Sequence, residues 1–122
     1  MKFVVQEHHA QNLHWDFRLE MDGTLKSWAV PKEPPLVSGV KRLAIQVDDH
    51  ALEYAKFHGT IPDGYGKGTV KIWDNGEYEM ESRKDIKMVF LLKGKKMKGK
   101  YVLLKFPKAF SKAKNGWLLF KE

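Results

Sequence analysis

The chain of 122 residues contains no cysteine. Disulfides and thiolate metal sites are therefore excluded, and any metal must be held by nitrogen and oxygen donors. Long apolar runs are missing too. The N-terminus, Met1-Lys2-Phe3-Val4-Val5-Gln6-Glu7-His8, offers one short apolar stretch and then charge. That is no signal peptide, and no segment approaches the length of a membrane span. There is no internal repeat, low-complexity tract or break in composition. A single domain over residues 1–122 is expected, soluble, cytoplasmic and monomeric, with no membrane contact. Its length is enough to bury a core without staples. Acidic residues are outnumbered, 15 against 22 lysines and arginines, for a net charge of +7. Such a balance favours a polyanionic partner, because each phosphate neutralised releases counterions.

Alternation at period two dominates what is present, and it predicts β-strands. Leu13 to Glu20 alternates without a break, and Asp22-Gly23 reads as a hairpin turn leading to a partner strand over 25–30. Pro31, Pro34 and Pro35 end that strand and impose a rigid connection. Further strands are expected over 41–47, with Leu43, Ile45 and Val47 as the apolar face, and over 69–74, 77–83, 87–92, 101–106 and 117–120. Asn75-Gly76 is read as a hairpin turn between two of these. Asp49 to Phe57 is expected to form a turn or one short helix. The sum is an all-β fold, a compact antiparallel β-barrel of about eight strands with little helix.

Successive side chains on a strand point to opposite faces. Leu13, Trp15, Phe17 and Leu19 therefore share an apolar face, and His14, Asp16 and Arg18 share the other. A solvated strand face favours Lys, Glu and Thr; this one aligns an imidazole, a carboxylate and a guanidinium. His8 and His9 lie upstream, and spacing leaves open which of them joins the set. Imidazole and carboxylate donors suit Mn²⁺, Zn²⁺ or Fe²⁺ better than Ca²⁺. Arg18 beyond the metal could hold a phosphate bidentately. The ordinary alternative is a surface histidine beside an Asp16–Arg18 ion pair of little energetic worth.

A second cluster is Asp48-Asp49-His50 with Tyr54. His50 could act as a general acid or hold a phosphate, and Tyr54 could donate to the same anion. The plainer reading makes Asp49 a helix N-cap and packs Tyr54 inside. The loop Ile61 to Gly68 is rich in glycine but lacks the Gly-Lys-Ser/Thr ending of a nucleotide-binding P-loop, and a strand follows it. Lys93, Lys95, Lys96, Lys98 and Lys100 crowd one turn. It is either a solvated hairpin tip or, through Lys95, Lys96 and Lys98, a seat for a nucleic acid backbone. Trp73 and Trp117 are assigned to the core.

At these residues the chain resembles the 3′-phosphoesterase domain of bacterial DNA ligase D. The likeness runs through Phe3-Val4-Val5-Gln6-Glu7-His8, Leu13-His14-Trp15-Asp16-Phe17-Arg18-Leu19-Glu20, Leu25 to Lys32, Lys41 to Ala44, Asp48-Asp49-His50, Leu52-Glu53-Tyr54, Gly59, Ile61-Pro62, Tyr65-Gly66 and Trp73-Asp74. The last third of the chain matches more loosely. The resemblance implies a β-barrel with its site in a groove on one side. It implies removal of a 3′-terminal ribonucleoside to leave a 3′-phosphate, then hydrolysis of that phosphate to a 3′-OH. Manganese is the implied metal, with zinc and cobalt as alternatives. His8, His14 and Asp16 fall on the ligand positions, and the alignment chooses His8 over His9. Arg18, His50 and Tyr54 fall on positions needed for activity, and Lys32 and Arg42 on further phosphate contacts. The implied substrates are nucleic acid 3′ ends, on primer-template DNA or DNA carrying a 3′ ribonucleotide. Relative to the family pattern, the loop between Gly64 and Tyr65 is one residue shorter, and Glu33 and Pro35 replace the usual glycine and small polar residue. With no extension before the motif and no ligase or polymerase module, the chain is expected to work beside separate ligase and polymerase proteins. Two rivals from other classes are a non-catalytic nucleic-acid-binding barrel and a cupin-like small-molecule enzyme. The cupin pattern requires His-x-His, where this chain has His-x-Asp.

Overall fold

A computed structural model describes residues 1–64, 67–106 and 115–122. The strands are β1 (Lys2–His9), β2 (Leu13–Met21), β3 (Thr24–Val30), β4 (Lys41–His50), β5 (Gly59–Ile61), β6 (Gly68–Lys84), β7 (Lys87–Lys93), β8 (Lys98–Lys105) and β9 (Gly116–Lys121). One 3₁₀ turn, Leu52–Lys56, follows β4. Eight strands close into a ring in the order β1-β2-β3-β4-β9-β8-β7-β6, and β6 returns to β1. Every pairing between the strands is antiparallel. The three-residue β5 attaches to the first residues of β6. The expected antiparallel barrel is thus observed.

Alternation explains the interior. Trp15, Phe17 and Leu19 point inward from β2, and Phe3 and Val5 join them from β1. Trp28, Phe90, Tyr101 and Leu103 complete an aromatic-rich filling. Asp22 and Gly23 take φ of 58° and 78°, the left-handed pair that a two-residue hairpin needs. The proline-rich connection closes against the barrel, where the buried Tyr101 hydroxyl donates to the Pro35 carbonyl at 2.7 Å.

Four sequence expectations change. Asn75-Gly76 is no turn: both residues lie inside the 17-residue β6, paired with Val4 and Phe3. The glycine serves a close approach instead, since a Cβ on Gly76 would lie 2.3 Å from the Lys93 carbonyl oxygen. On β4 the apolar set Leu43, Ile45 and Val47 does not face the core. Ala44 is fully buried, while Leu43 and Val47 are 40% and 36% exposed. Asp49 is not a cap, because β4 continues to His50 and the 3₁₀ turn begins at Leu52 after Ala51. Trp117 is buried as expected, but Trp73 only half-packs on the core, with the Lys96 ammonium 4.4 Å from its ring centre.

The basic turn is the β7–β8 hairpin tip, and it is rigidly anchored. The Asp74 carboxylate accepts from the backbone N–H of Lys95 (2.9 Å), Lys96 (3.1 Å) and Met97 (2.8 Å). Met97 is fully buried in the core. Tyr65 and Gly66 of the glycine-rich loop lie outside the described residues. Among the described residues, no helix is long and apolar enough to cross a membrane.

Candidate metal and phosphate site

The face of β1 and β2 that points away from the core carries Gln6, His8, His14, Asp16 and Arg18. Antiparallel register sets His8 opposite His14 and Gln6 opposite Asp16. The two imidazoles meet edge to face with centroids 4.7 Å apart. His8 Nδ1 lies 3.6 Å from one Asp16 oxygen, and His14 Nε2 lies 3.4 Å from the other. One donor atom from each of the three residues falls within 4.8 Å of the others, so the group could hold a metal ion. Two nitrogens and a carboxylate oxygen on one side of a would-be ion suit a borderline divalent metal and leave its other positions open. His9 points away and its Nε2 meets the Glu7 carboxylate, which separates it from the cluster.

Second contacts tune this set. His14 Nδ1 donates to the Asn12 carbonyl at 3.0 Å, which aims Nε2 at Asp16: a protonated Nε2 donates to the carboxylate, and a deprotonated one is free to ligate a metal. The Asp16 hydrogen bond raises the His14 pKa against the opposing effect of burial. Burial by itself would raise Asp16; the hydrogen bond to His14 and the Arg18 charge outweigh it and hold the carboxyl below its usual range.

Arg18 is 3% exposed and held on every side. Its Nε donates to Gln6 Oε1 at 2.7 Å and one terminal nitrogen to Ser27 Oγ at 2.7 Å. The other terminal nitrogen lies 3.4 Å from Asp16, and the guanidinium sits 4.9 Å from the centre of the Tyr54 ring. Gln6 in turn donates to the carbonyls of Tyr54 (2.8 Å) and Phe57 (3.2 Å), tying the 3₁₀ segment down over Arg18. His50, Tyr54 and Phe57 stack in a column with centroid spacings of 4.5 and 5.0 Å. Burial and the nearby Arg18 charge lower the His50 pKa, so its ring is neutral near pH 7.

His8, His14, Asp16, Arg18, His50 and Tyr54 all line one cavity of about 810 Å³, with Asp48, Asp49 and Val47 on its far wall. Asp49 is neutralised by Lys26 at 2.9 Å. Lys32, Arg42 and the hairpin lysines Lys95, Lys96 and Lys98 do not line it. Arg42 instead donates its Nε to the Glu33 carbonyl at 2.8 Å and braces the proline-rich connection. Gln6 and Ser27, which orient Arg18, were not singled out from the sequence as site residues. The parity of Gln6 with His8 is the signal that was available.

The family description "DNA Ligase D 3′-phosphoesterase domain" fits residues 6–105. The chain belongs to that family. A Pseudomonas aeruginosa protein named "Multifunctional non-homologous end joining protein LigD" is 50% identical over 111 residues, covering 86% of this chain and 13% of the relative. The Mycobacterium tuberculosis "Multifunctional non-homologous end joining DNA repair protein LigD" is 50% identical over 108 residues, 84% of this chain and 14% of that protein. The Mycolicibacterium smegmatis relative of the first name is 44% identical over 129 residues, 96% and 16% of the respective chains. This 3′-phosphoesterase-family chain therefore spans 13–16% of the length of these relatives.

Proposed function

We propose that this chain is a metal-dependent phosphoesterase that heals nucleic acid 3′ ends for non-homologous end joining. It removes a 3′-terminal ribonucleoside and then the remaining 3′-phosphate, leaving a 3′-OH. The observation that carries the reading is the convergence of three metal-type donors and a fully braced arginine in a single cavity. Within it, His8, His14 and Asp16 would hold the ion, and manganese, zinc and cobalt all accept such donors. A bound divalent ion supplies Lewis acidity toward a phosphoryl oxygen. The protein's own groups do the rest. Arg18 faces the charge that develops on the phosphoryl oxygens, and its partners leave it little freedom to reorganise. The neutral His50 ring can donate an N–H hydrogen bond to the phosphate, whereas only its protonated form, favoured as pH falls, can pass a proton to the leaving oxygen. Tyr54 covers Arg18 and can donate its hydroxyl to the same anion. Lys32 and Arg42, outside the cavity, would serve phosphates further along the strand, and Lys95, Lys96 and Lys98 would attract the backbone from the hairpin tip.

The test is a 5′-labelled primer-template ending in one ribonucleotide, incubated with manganese or with EDTA. Stepwise shortening to a 3′-phosphate and then a 3′-OH, in the presence of metal only, supports the reading. A primer that is bound but left intact moves the assignment to a non-catalytic nucleic-acid-binding barrel. Recovery of separate ligase and polymerase proteins by co-purification would support their partnership with this chain.

A further inference from the structure

The outside of the barrel should be polar wherever it meets water. Across β4, β9 and β8 it is not. Register aligns Leu43, Leu118 and Leu104 in one cross-strand row, and Phe120, Val102 and Val89 in the row beside it. Leu43 is 40% exposed, and Leu118, Leu104, Phe120 and Val89 are partly exposed, while Val102 between the last two is buried and forms the floor of the field. The first row runs on toward Ile86, 62% exposed, whose carbonyl accepts from the Lys105 N–H. The 3₁₀ turn packs against β3, on the other side of β4, so it does not cover these rows. Lysines terminate both: Lys87 stands opposite Leu104, and Lys41 opposite Phe120 with its ammonium 5.4 Å from that ring centre. On the same side, the carboxylate of Glu81 is engaged by Lys100 at 3.2 Å. Neither Lys41 nor Lys87 has an ion-pair partner among the described residues.

The geometry points to this face as a docking surface for an acidic amphipathic helix of a partner protein. Rows two residues apart along a strand and strands about 4.8 Å apart make a shallow apolar field about as wide as one helix. The closed ring leaves no strand edge there for β-addition, so recognition is by side chains. The lysine ends select carboxylates around an apolar stripe, and with a net charge of +7 they oppose a second copy of the chain. Leu43, Ile45 and Val47 share one face of β4, and Val47 lines the cavity. A docked helix therefore sits beside the cavity mouth without filling it.

The probes are two labelled peptides of about sixteen residues with leucines at helical i, i+3, i+4, i+7 spacing. One carries glutamate at the remaining positions and the other lysine. Fluorescence anisotropy with the whole chain is expected to show saturable binding of the acidic peptide, weakening with salt, and no binding of the basic one. The pair Leu43→Glu with Leu104→Glu should weaken binding about tenfold or more, since each leucine leaves an apolar contact. Lys41→Glu with Lys87→Glu should do the same, and circular dichroism checks that each variant melts like the parent. Equal binding of both peptides, or binding unchanged in both folded variants, overturns the proposal. So does a dimer in sedimentation that the leucine pair dissolves, which would give the face to a second copy. No outcome depends on phosphoesterase activity.

Discussion

Replacing Asp74 by alanine isolates one interaction whose size can be worked out from contacts alone. The carboxylate is 4% exposed and accepts four backbone N–H bonds, three from residues more than twenty positions away. Hydrogen bonds to a charged acceptor contribute about 1.5–3 kcal/mol each when removed singly, and they do not add. Lys95 and Lys96 are exposed, so their N–H groups can turn to water after the change. Met97 is fully buried, so its N–H is stranded, at a cost of about 1–3 kcal/mol. The expected loss is about 3–5 kcal/mol, a large share of the ~5–15 kcal/mol that holds a domain of this kind together. Asp74→Asn keeps one acceptor oxygen and loses the charge, and should fall between the two. Urea unfolding followed by tryptophan fluorescence reads both, because Trp73 adjoins the site and reports the tip through Lys96. A loss under about 1 kcal/mol for the alanine variant, or an asparagine variant as stable as the parent, would refute the reasoning.

Further outcomes follow from the site. His14→Ala and Asp16→Ala should each weaken manganese binding, measured by calorimetry, by more than about a hundredfold, and abolish both cleavage steps; retained activity at saturating manganese would remove them from the ligand set. Ser27→Ala removes the hydroxyl that receives Arg18 and should lower kcat about tenfold while leaving manganese affinity unchanged, which an assay paired with metal titration separates. In the metal-free protein the His50 ring should titrate below 6.5 by NMR, so its contribution to stability is present above that pH and lost as pH falls. Replacing Lys95, Lys96 and Lys98 together by glutamine should weaken strand binding and flatten its salt dependence; an unchanged slope returns that tip to solvent.

The barrel and the polar set on β2 were legible because both obey period two, whereas His8 was chosen over His9 only by the family resemblance. Each strand of an antiparallel ring buries one face, so Trp15, Phe17 and Leu19 declare the inside and His14, Asp16 and Arg18 the outside. Alternation fails where both parities are apolar. On β4, Leu43, Ala44 and Ile45 gave no contrast, and it is Ala44 that turns inward. Asn75-Gly76 misled for a different reason. Glycine marks either a turn or a close backbone approach, and the carbonyl of Lys93 that demands it is seventeen positions away. The roles of Gln6 and Ser27 were hidden because neutral polar side chains signal nothing until the guanidinium they hold is in place.

The locality of the triad bears on the order in which the molecule assembles. His8, His14 and Asp16 belong to one hairpin, whereas ring closure must bring Lys2 to Glu77. Rings closed by such distant pairings fold slowly, because chain entropy is lost before contacts repay it. The hairpin carrying the donors needs no such closure, and hairpins form in about 1–10 μs. Arg18, by contrast, finds Ser27 only once β3 is paired, and Gln6 finds its carbonyls only after the 3₁₀ segment has docked. Under the proposed function, a refolding chain would thus assemble its proposed metal donors before the contacts that set Arg18 for a phosphate.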